Sequence, residues 1–184
     1  MSRILTVSGS PSVTSRSTLL LEHVSQILVR SGHEVTHLSL RDLPAEALLH
    51  ARFGDPAILR AARQLEHADG VVVATPVYKA AYSGLLKSWL DLLPQYGLAD
   101  KAVLPLATGG SLAHALALDY GLRPVLSSMG ARHVVQGFLV VDQFLATAPG
   151  GQLVIDAAVQ PELAGVVDGF LAALPSPFAA GLTA

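Results

Sequence analysis

The stretch Val71-Val72-Val73-Ala74-Thr75-Pro76 decides the fold that we predict for this chain. It is a short apolar run with Asp69-Gly70 before it and a proline at its end. Because it lacks the alternation of a half-exposed strand, we expect a strand that is buried on both faces, which is typical of parallel sheets. Further strands are predicted on either side along the chain, at 4–7, 34–40, 102–107 and 137–141.

Segments with helical spacing of their apolar residues alternate with these strands. They predict helices at about 15–30, 55–68, 83–93, 113–129 and 161–174. Since each parallel strand is joined to the next through a helix, the pattern indicates one doubly wound α/β sheet of five parallel strands with helices on both faces. We assign residues 1–175 to this single domain and residues 176–184 to a C-terminal tail.

The composition excludes several classes of protein. Of the 184 residues, 51% are hydrophobic and 14% are charged, whereas a typical protein has about 25% charged residues. This balance excludes a disordered chain and suggests that a partner subunit covers part of the apolar surface. The net charge of −2 shows no excess of basic residues that could bind nucleic acid. The lack of cysteine excludes disulfides and thiolate metal sites.

The sequence predicts neither secretion nor membrane insertion. The N-terminal apolar run covers only residues 4–7, which is too short for the core of a signal peptide. The other apolar runs fall far short of the roughly 18 residues that a membrane span requires. We therefore expect a cytoplasmic protein without a membrane partner.

One segment matches a metal motif in letters alone. His33-Glu34-Val35-Thr36-His37 has the H-E-x-x-H pattern of zinc proteases, which requires a helix so that both histidines share one face. Here we predict a strand, in which the two histidines lie roughly 13 Å apart, too far for one zinc ion. We therefore predict no metal site.

In a doubly wound sheet, ligands bind beyond the carboxyl ends of the strands. The first loop at this edge, residues 8–17, reads Ser8-Gly9-Ser10-Pro11-Ser12-Val13-Thr14-Ser15-Arg16-Ser17. Six hydroxyls, one guanidinium and the free amides of a helix start suit a phosphate group. Helix capping by Ser15 or Ser17 would account for one hydroxyl only. We predict a phosphate monoester site that contains Ser8, Ser10, Ser15, Arg16 and Ser17.

A second loop, residues 75–81, and a third loop, residues 108–111, leave the same edge of the sheet. Tyr78 offers a ring face or a hydroxyl, and the paired glycines 109 and 110 let the backbone approach a planar ligand closely. Each loop alone is equally well explained as an ordinary turn, but their common position favours a binding site. Its candidate residues are Pro76, Val77, Tyr78, Lys79, Thr108, Gly109, Gly110 and Ser111.

Together the three loops resemble those of the NAD(P)H-dependent FMN reductases of flavodoxin-like fold. The resemblance covers about residues 3–175, and it is greatest to the NADPH:FMN reductases that serve two-component alkanesulfonate monooxygenases. One position departs from the pattern, because Lys79 stands where many relatives have asparagine. The matching motifs are Ser8-Gly9-Ser10-Pro11, Ser15-Arg16-Ser17, Thr75-Pro76-Val77-Tyr78, Ser83-Gly84-Leu85-Leu86-Lys87 and Thr108-Gly109-Gly110-Ser111.

The resemblance implies the strand order 2-1-3-4-5, with the FMN phosphate in the first loop and the flavin ring between the second and third loops. It also implies NADPH or NADH as the hydride donor, a homodimer or homotetramer, and a separate monooxygenase that receives reduced FMN. Catalytic side chains are not expected, because the hydride passes from nicotinamide to flavin directly. Residues 114–124 resemble a helix with one extra residue, which implies that Tyr120 lies in a π-bulge at a subunit interface.

Two alternative functions remain open at this point. A quinone, azo-dye or chromate reductase that retains its FMN would present similar loops. A flavodoxin-type electron carrier would bind FMN without using NAD(P)H, although such carriers usually have a strongly acidic surface and this chain has a net charge of only −2.

Overall fold

The computed structural model describes residues 1–175, and the predicted tail at 176–184 lies outside the described residues. The described strands are β1 (Arg3–Ser8), β2 (Glu34–Ser39), β3 (Gly70–Tyr78), β4 (Ala81–Tyr82), β5 (Ala102–Gly109), β6 (His133–Val134), β7 (Phe138–Val141), β8 (Leu145–Thr147) and β9 (Leu153–Ile155). The described α-helices are α1 (Arg16–Arg30), α2 (Ala45–Leu49), α3 (Pro56–Glu66), α4 (Gly84–Leu90), α5 (Arg123–Ser128) and α6 (Gln160–Ala173).

The main sheet confirms the predicted doubly wound topology. Its parallel strands run in the order β2-β1-β3-β5, and the fifth position beside β5 is shared by two short strands, β6 and β7. This is the predicted order 2-1-3-4-5 with the last strand divided in two. In addition, β4 folds back antiparallel on the end of β3, and β8 and β9 form a separate hairpin.

The central strands contribute alternate residues to two buried layers. Leu5 and Val73 belong to the layer that contains residues of α3, α4 and α5, and Ile4 and Val72 belong to the layer that contains residues of α1 and α6. The run at 71–74 is apolar throughout because helices cover both of its faces, as predicted. This packing leaves the carboxyl edge of the sheet open at the ends of β1, β3 and β5.

The helix predicted at 113–129 is divided into three pieces in the structure. A 3₁₀ turn (Leu112–Ala115) leads into a π-helix (Ala117–Leu122), and α5 follows at Arg123. Pro124 lies in the first turn of α5. Because proline has no amide hydrogen and its ring clashes with the carbonyl four residues earlier, a continuous α-helix cannot run through this position without distortion.

The H-E-x-x-H segment lies on β2 from its second residue, Glu34, onward, so the predicted strand is confirmed there. Both of its histidines are hydrogen-bonded to the first residues of the chain. The Nδ1 atom of His33 accepts from the amide of Ser2 at 3.3 Å, and the Nδ1 atom of His37 lies 3.1 Å from Thr6 Oγ1.

Within residues 1–175, no helix combines the length and the apolar character that crossing a bilayer requires.

Candidate active site

The first, second and third loops meet in one cleft at the carboxyl edge of the sheet. The cleft has a volume of about 770 Å³, within the range of roughly 300–1,000 Å³ that is usual for small-molecule sites. The predicted site residues that line it are Ser10, Ser15, Arg16, Pro76, Val77, Tyr78, Thr108, Gly109 and Gly110. The other predicted site residues, which do not belong to its lining, are Ser8, Ser17, Lys79 and Ser111.

Hydrogen bonds between hydroxyls and amides hold the first loop. Ser10 Oγ accepts from the amide of Ser12, and Ser12 Oγ accepts from the amide of Thr14, each at 3.2 Å. Since Ser10 acts as an acceptor here, its own proton remains available to a ligand. Ser8 is almost fully buried, and its Oγ lies 2.7 Å from Thr18 Oγ1, so it supports the loop from behind.

The start of α1 forms the floor of this end of the cleft. Ser15 caps the helix, because its Oγ accepts from the amide of Thr18 at 3.2 Å, and Ser17 Oγ lies 2.9 Å from Ser15 Oγ. Within the described part of the chain, the amides of Arg16 and Ser17 have no hydrogen-bond acceptor. Such free amides, together with the helix dipole, favour an anion at this position.

Two hydrogen bonds join the first loop to the segment that runs from β3 to α4. Ser83 Oγ donates to the carbonyl of Gly9, and the amide of Gly9 donates to the carbonyl of Ala74 at 2.8 Å. Within that segment, the amide of Ser83 donates to Thr75 Oγ1 at 3.0 Å. A Cβ atom at Gly9 would lie 3.0 Å from the Cβ of Leu86, so glycine is what allows this close approach. These contacts fix the separation of the two walls.

The second loop ends in a tight hairpin that the sequence analysis did not predict. Tyr78 pairs with Ala81, so Lys79 and Ala80 form a two-residue turn, and both have left-handed backbone angles with φ of 51° and 62°. Such turns require positive φ at both central residues and favour asparagine and glycine. Asparagine at position 79 would therefore favour the backbone conformation of the turn. Lys79 itself does not belong to the lining of the cleft.

The third loop presents backbone rather than side chains to the cleft. A Cβ atom at Gly109 would lie 2.9 Å from the Nδ1 atom of His114, whereas Gly110 has open space around it. Ser111 begins the following 3₁₀ turn, where its Oγ accepts from the amide of Ala113 at 3.3 Å. A flat ligand can therefore approach Gly110 closely.

Sequence reasoning missed several charged residues of the cleft, of which Arg41 and Asp142 contact residues of the first loop. Arg41 Nη1 donates to the carbonyl of Ser12 at 3.2 Å, and Arg16 Nη1 lies 3.5 Å from Asp142 Oδ2. Both residues follow the carboxyl end of a strand. Because ligands bind beyond the carboxyl ends of the strands, the loops after the second and fifth predicted strands would have pointed to these residues. The remaining ionisable side chains of the lining, apart from Tyr78, are Glu22, His37 and Asp42.

Tyr120 lies outside the cleft, on the exposed surface of the π-helix. Its side chain is 80% exposed, and Leu112 and Leu116 nearby in sequence are also exposed. The π-helix packs against the hairpin of the second loop, where a Cβ atom at Gly121 would lie 3.6 Å from the ring of Tyr82. The π-helix thus adjoins the hairpin at the end of the second loop.

An open parallel sheet with free helix-start amides after its first strand, and with the next two loops at the same cleft, is typical of a flavodoxin-like protein. The fold is shared with an oxidised flavodoxin of Bacillus cereus, which aligns with a TM-score of 0.67 at 15% identity over 95% of this chain and all of that one. The chain belongs to the NADPH-dependent FMN reductase family, whose model matches residues 2–146.

Two relatives extend this assignment over nearly the whole chain. An FMN reductase (NADPH) of Pseudomonas putida is 47% identical, and the alignment covers 97% of this chain and 93% of that protein. The crystal structure of the apo form of the NADH:FMN oxidoreductase EMOB superposes with a TM-score of 0.85 at 45% identity, covering 96% of this chain and 91% of that one. The chain is thus an oxidoreductase of the class that combines FMN with NADPH or NADH.

The residues of the cleft fit FMN at both ends. The free amides of Arg16 and Ser17 suit its phosphate, as does the Arg16 guanidinium. The side chains of Pro76 and Val77 and the backbone of Gly110 form an apolar slot for its ring. The observed cleft therefore agrees with the family assignment.

Proposed function

We propose that this FMN reductase treats FMN as a substrate and releases reduced FMN to a separate flavin-dependent monooxygenase, of the kind that takes part in sulfonate-sulfur assimilation. The observation that carries the proposal is the position of positive charge in the cleft. Both cationic side chains, Arg16 and Arg41, belong to the end formed by the first loop, whereas the slot between Pro76 and Gly110 has none. Binding is thereby concentrated on the phosphate, which is the same in both redox states of FMN.

When bound, FMN accepts a hydride from NADPH or NADH. The chain binds and orients the flavin for this transfer. The amides at the start of α1 and the guanidinium of Arg16 would hold the phosphate, and Pro76 and the backbone of Gly110 would border the ring. Tyr78 is 48% exposed at the mouth of the cleft, so its ring borders the side from which a nicotinamide can approach.

The affinity of both redox forms tests whether FMN is a substrate. Reduced FMN is often anionic at its ring, so a cation beside the ring would hold it much more tightly than oxidised FMN. Because Lys79 lies outside the lining, we expect the two dissociation constants to agree within about tenfold. Anaerobic titration of both forms measures this ratio. A reduced form bound a thousandfold more tightly would contradict the proposal and favour a quinone reductase that retains its flavin.

Activity and phosphate recognition are tested together. NADPH oxidation should require added FMN and saturate with it in a single-cuvette assay. Arg16→Ala should weaken FMN binding by about 1.5–3 kcal/mol, the scale of a hydrogen bond to a charged group, and leave riboflavin binding unchanged. A parallel loss of riboflavin and FMN affinity would show that Arg16 does not bind the phosphate.

We also propose that the chain forms a homodimer or homotetramer, with Tyr120 near a subunit contact. The exposed apolar side chains at 112, 116 and 120 support this assignment, as does the low fraction of charged residues. Sedimentation should show an assembly, and Tyr120→Ser should shift it towards smaller species. A wild-type monomer at micromolar concentration would contradict the proposal.

A further inference from the structure

An ion pair crosses the phosphate end of the cleft. Arg16, at the start of α1, faces Asp142, which begins the 3₁₀ turn directly after β7. The distance between Arg16 Nη1 and Asp142 Oδ2 is 3.5 Å, longer than the roughly 2.7–2.9 Å of a charge-assisted hydrogen bond. Both side chains are partly exposed, with 52% and 37% of their surface accessible. The pair is therefore loose, and a stronger ligand for the guanidinium can displace the carboxylate.

Among the described residues that line the cleft, Asp142 is one of three carboxylates and Arg16 is one of two guanidiniums. The other guanidinium, Arg41, is already engaged, because its Nη1 donates to the carbonyl of Ser12 at 3.2 Å. Arg16 is the cation beside the free amides of α1. Any phosphate that binds these amides therefore meets a guanidinium that Asp142 also attracts.

We propose that Asp142 competes with the flavin phosphate for Arg16 and thereby sets the affinity of this protein for FMN. The proposal rests on the proposed function, in which Arg16 binds the phosphate. Asp142 weakens the binding of phosphorylated flavin and does not affect the binding of riboflavin, which lacks the phosphate. In an enzyme that must release its flavin, a competing carboxylate shortens the residence time of the bound molecule.

Asp142→Asn tests the competition, because it removes the charge and keeps the size of the side chain. Flavin fluorescence titration should show FMN bound about three- to fivefold more tightly, the scale of an exposed ion pair, with riboflavin unchanged. Asp42→Asn is the matched control, since it removes the same charge from the same cleft and Asp42 lies at the same distance from Arg41. If both variants tighten FMN equally, the cause is the net charge of the cleft and the proposal fails.

A double-mutant cycle separates competition from simple repulsion. In an Arg16→Ala background, Asp142→Asn should leave FMN affinity unchanged, and a full gain there would overturn the proposal. The two proposals also fail in different ways. If Arg16→Ala does not weaken FMN, the proposed phosphate site is wrong. If Arg16→Ala weakens FMN and Asp142→Asn does not tighten it, the phosphate site stands and the role of Asp142 is wrong.

Discussion

The two ends of the cleft are stabilised in opposite ways. At the first loop, buried hydrogen bonds connect residues that are far apart in sequence, such as the Ser83 hydroxyl and the Gly9 carbonyl. At the hairpin of the second loop, Lys79 and Ala80 instead adopt left-handed backbone angles that cost free energy in non-glycine residues. The hydrogen bonds of the first loop therefore stabilise the protein, whereas the left-handed turn of the second loop destabilises it. Substitutions at the two ends should change the free energy of unfolding with opposite signs.

Ser83→Ala should have the largest effect, because Ser83 serves two elements. Its Oγ caps α4 by accepting from the amide of Leu86 at 3.1 Å, and it donates to the Gly9 carbonyl. Loss of a cap costs about 1 kcal/mol, and an unpaired buried carbonyl costs roughly 1–3 kcal/mol. We expect urea unfolding to show a loss of about 3 kcal/mol. Ser88→Ala is the control, since Ser88 is only half-buried and its Oγ donates to the carbonyl of Gly84 within the same helix, and it should cost less than about 0.5 kcal/mol.

Gly9→Ala should cost somewhat less, about 1–3 kcal/mol, because overpacking forces small shifts in the surrounding core. The new methyl group would lie 3.0 Å from the Cβ of Leu86 and 3.2 Å from the carbonyl oxygen of Ala74. Gly84→Ala provides the control, because a Cβ atom there meets nothing within 4 Å. The control should be neutral or stabilising by up to about 1 kcal/mol. Equal losses for both variants would show that close packing at Gly9 is not the cause.

The same contrast explains what could be predicted from the sequence. Features set by neighbouring residues were found. The apolar run at 71–74 predicted the central strand, and the helices predicted at 15–30, 55–68 and 83–93 start at residues that cap α1, α3 and α4 in the structure. The hydrogen bond from Ser83 to Gly9 joins residues 74 positions apart. A pattern of neighbouring residues cannot predict such a contact, because it forms only when β1 and β3 are paired in the sheet.

The hairpin of the second loop was not predicted for a different reason. A hairpin with a two-residue turn is recognised by asparagine or glycine at the turn, and Lys79-Ala80 contains neither. Tertiary pairing with the end of β3 imposes the turn despite the unfavourable residues. The division of the helix at 113–129 was also missed in part, although Pro124 gave a local signal of the break.

Ala80→Gly tests the stored strain directly and should stabilise the protein by about 1 kcal/mol, because glycine adopts positive φ without a steric penalty. Lys79→Asn should add a smaller gain at the first turn position. Ala81→Gly is the control, since Ala81 lies in β4 with ordinary strand geometry and glycine weakens a strand. Thermal unfolding compares the three variants. If Ala80→Gly destabilises the protein, the turn does not store strain, and the proposed contrast with the first loop is wrong.

The smallest expected effect is the pH dependence of the free energy of unfolding. It bears on the comparison because His37, whose pKa is altered, lines the cleft near the first loop. Burial lowers the pKa of His37, and the charges of Glu22 and Asp42 only partly oppose this. Protons therefore bind the unfolded chain more readily than the folded one as the pH falls through 6.5, so acidification should reduce the free energy of unfolding. His37→Gln should make this dependence shallower between pH 7.5 and 5.5 in urea unfolding. Part of the slope should remain, because burial also lowers the pKa of His23. His50→Gln, at an exposed position outside the cleft lining, is the matched control for the loss of one histidine. An unchanged slope in the His37 variant would show that the first end owes none of its stability to a neutral His37.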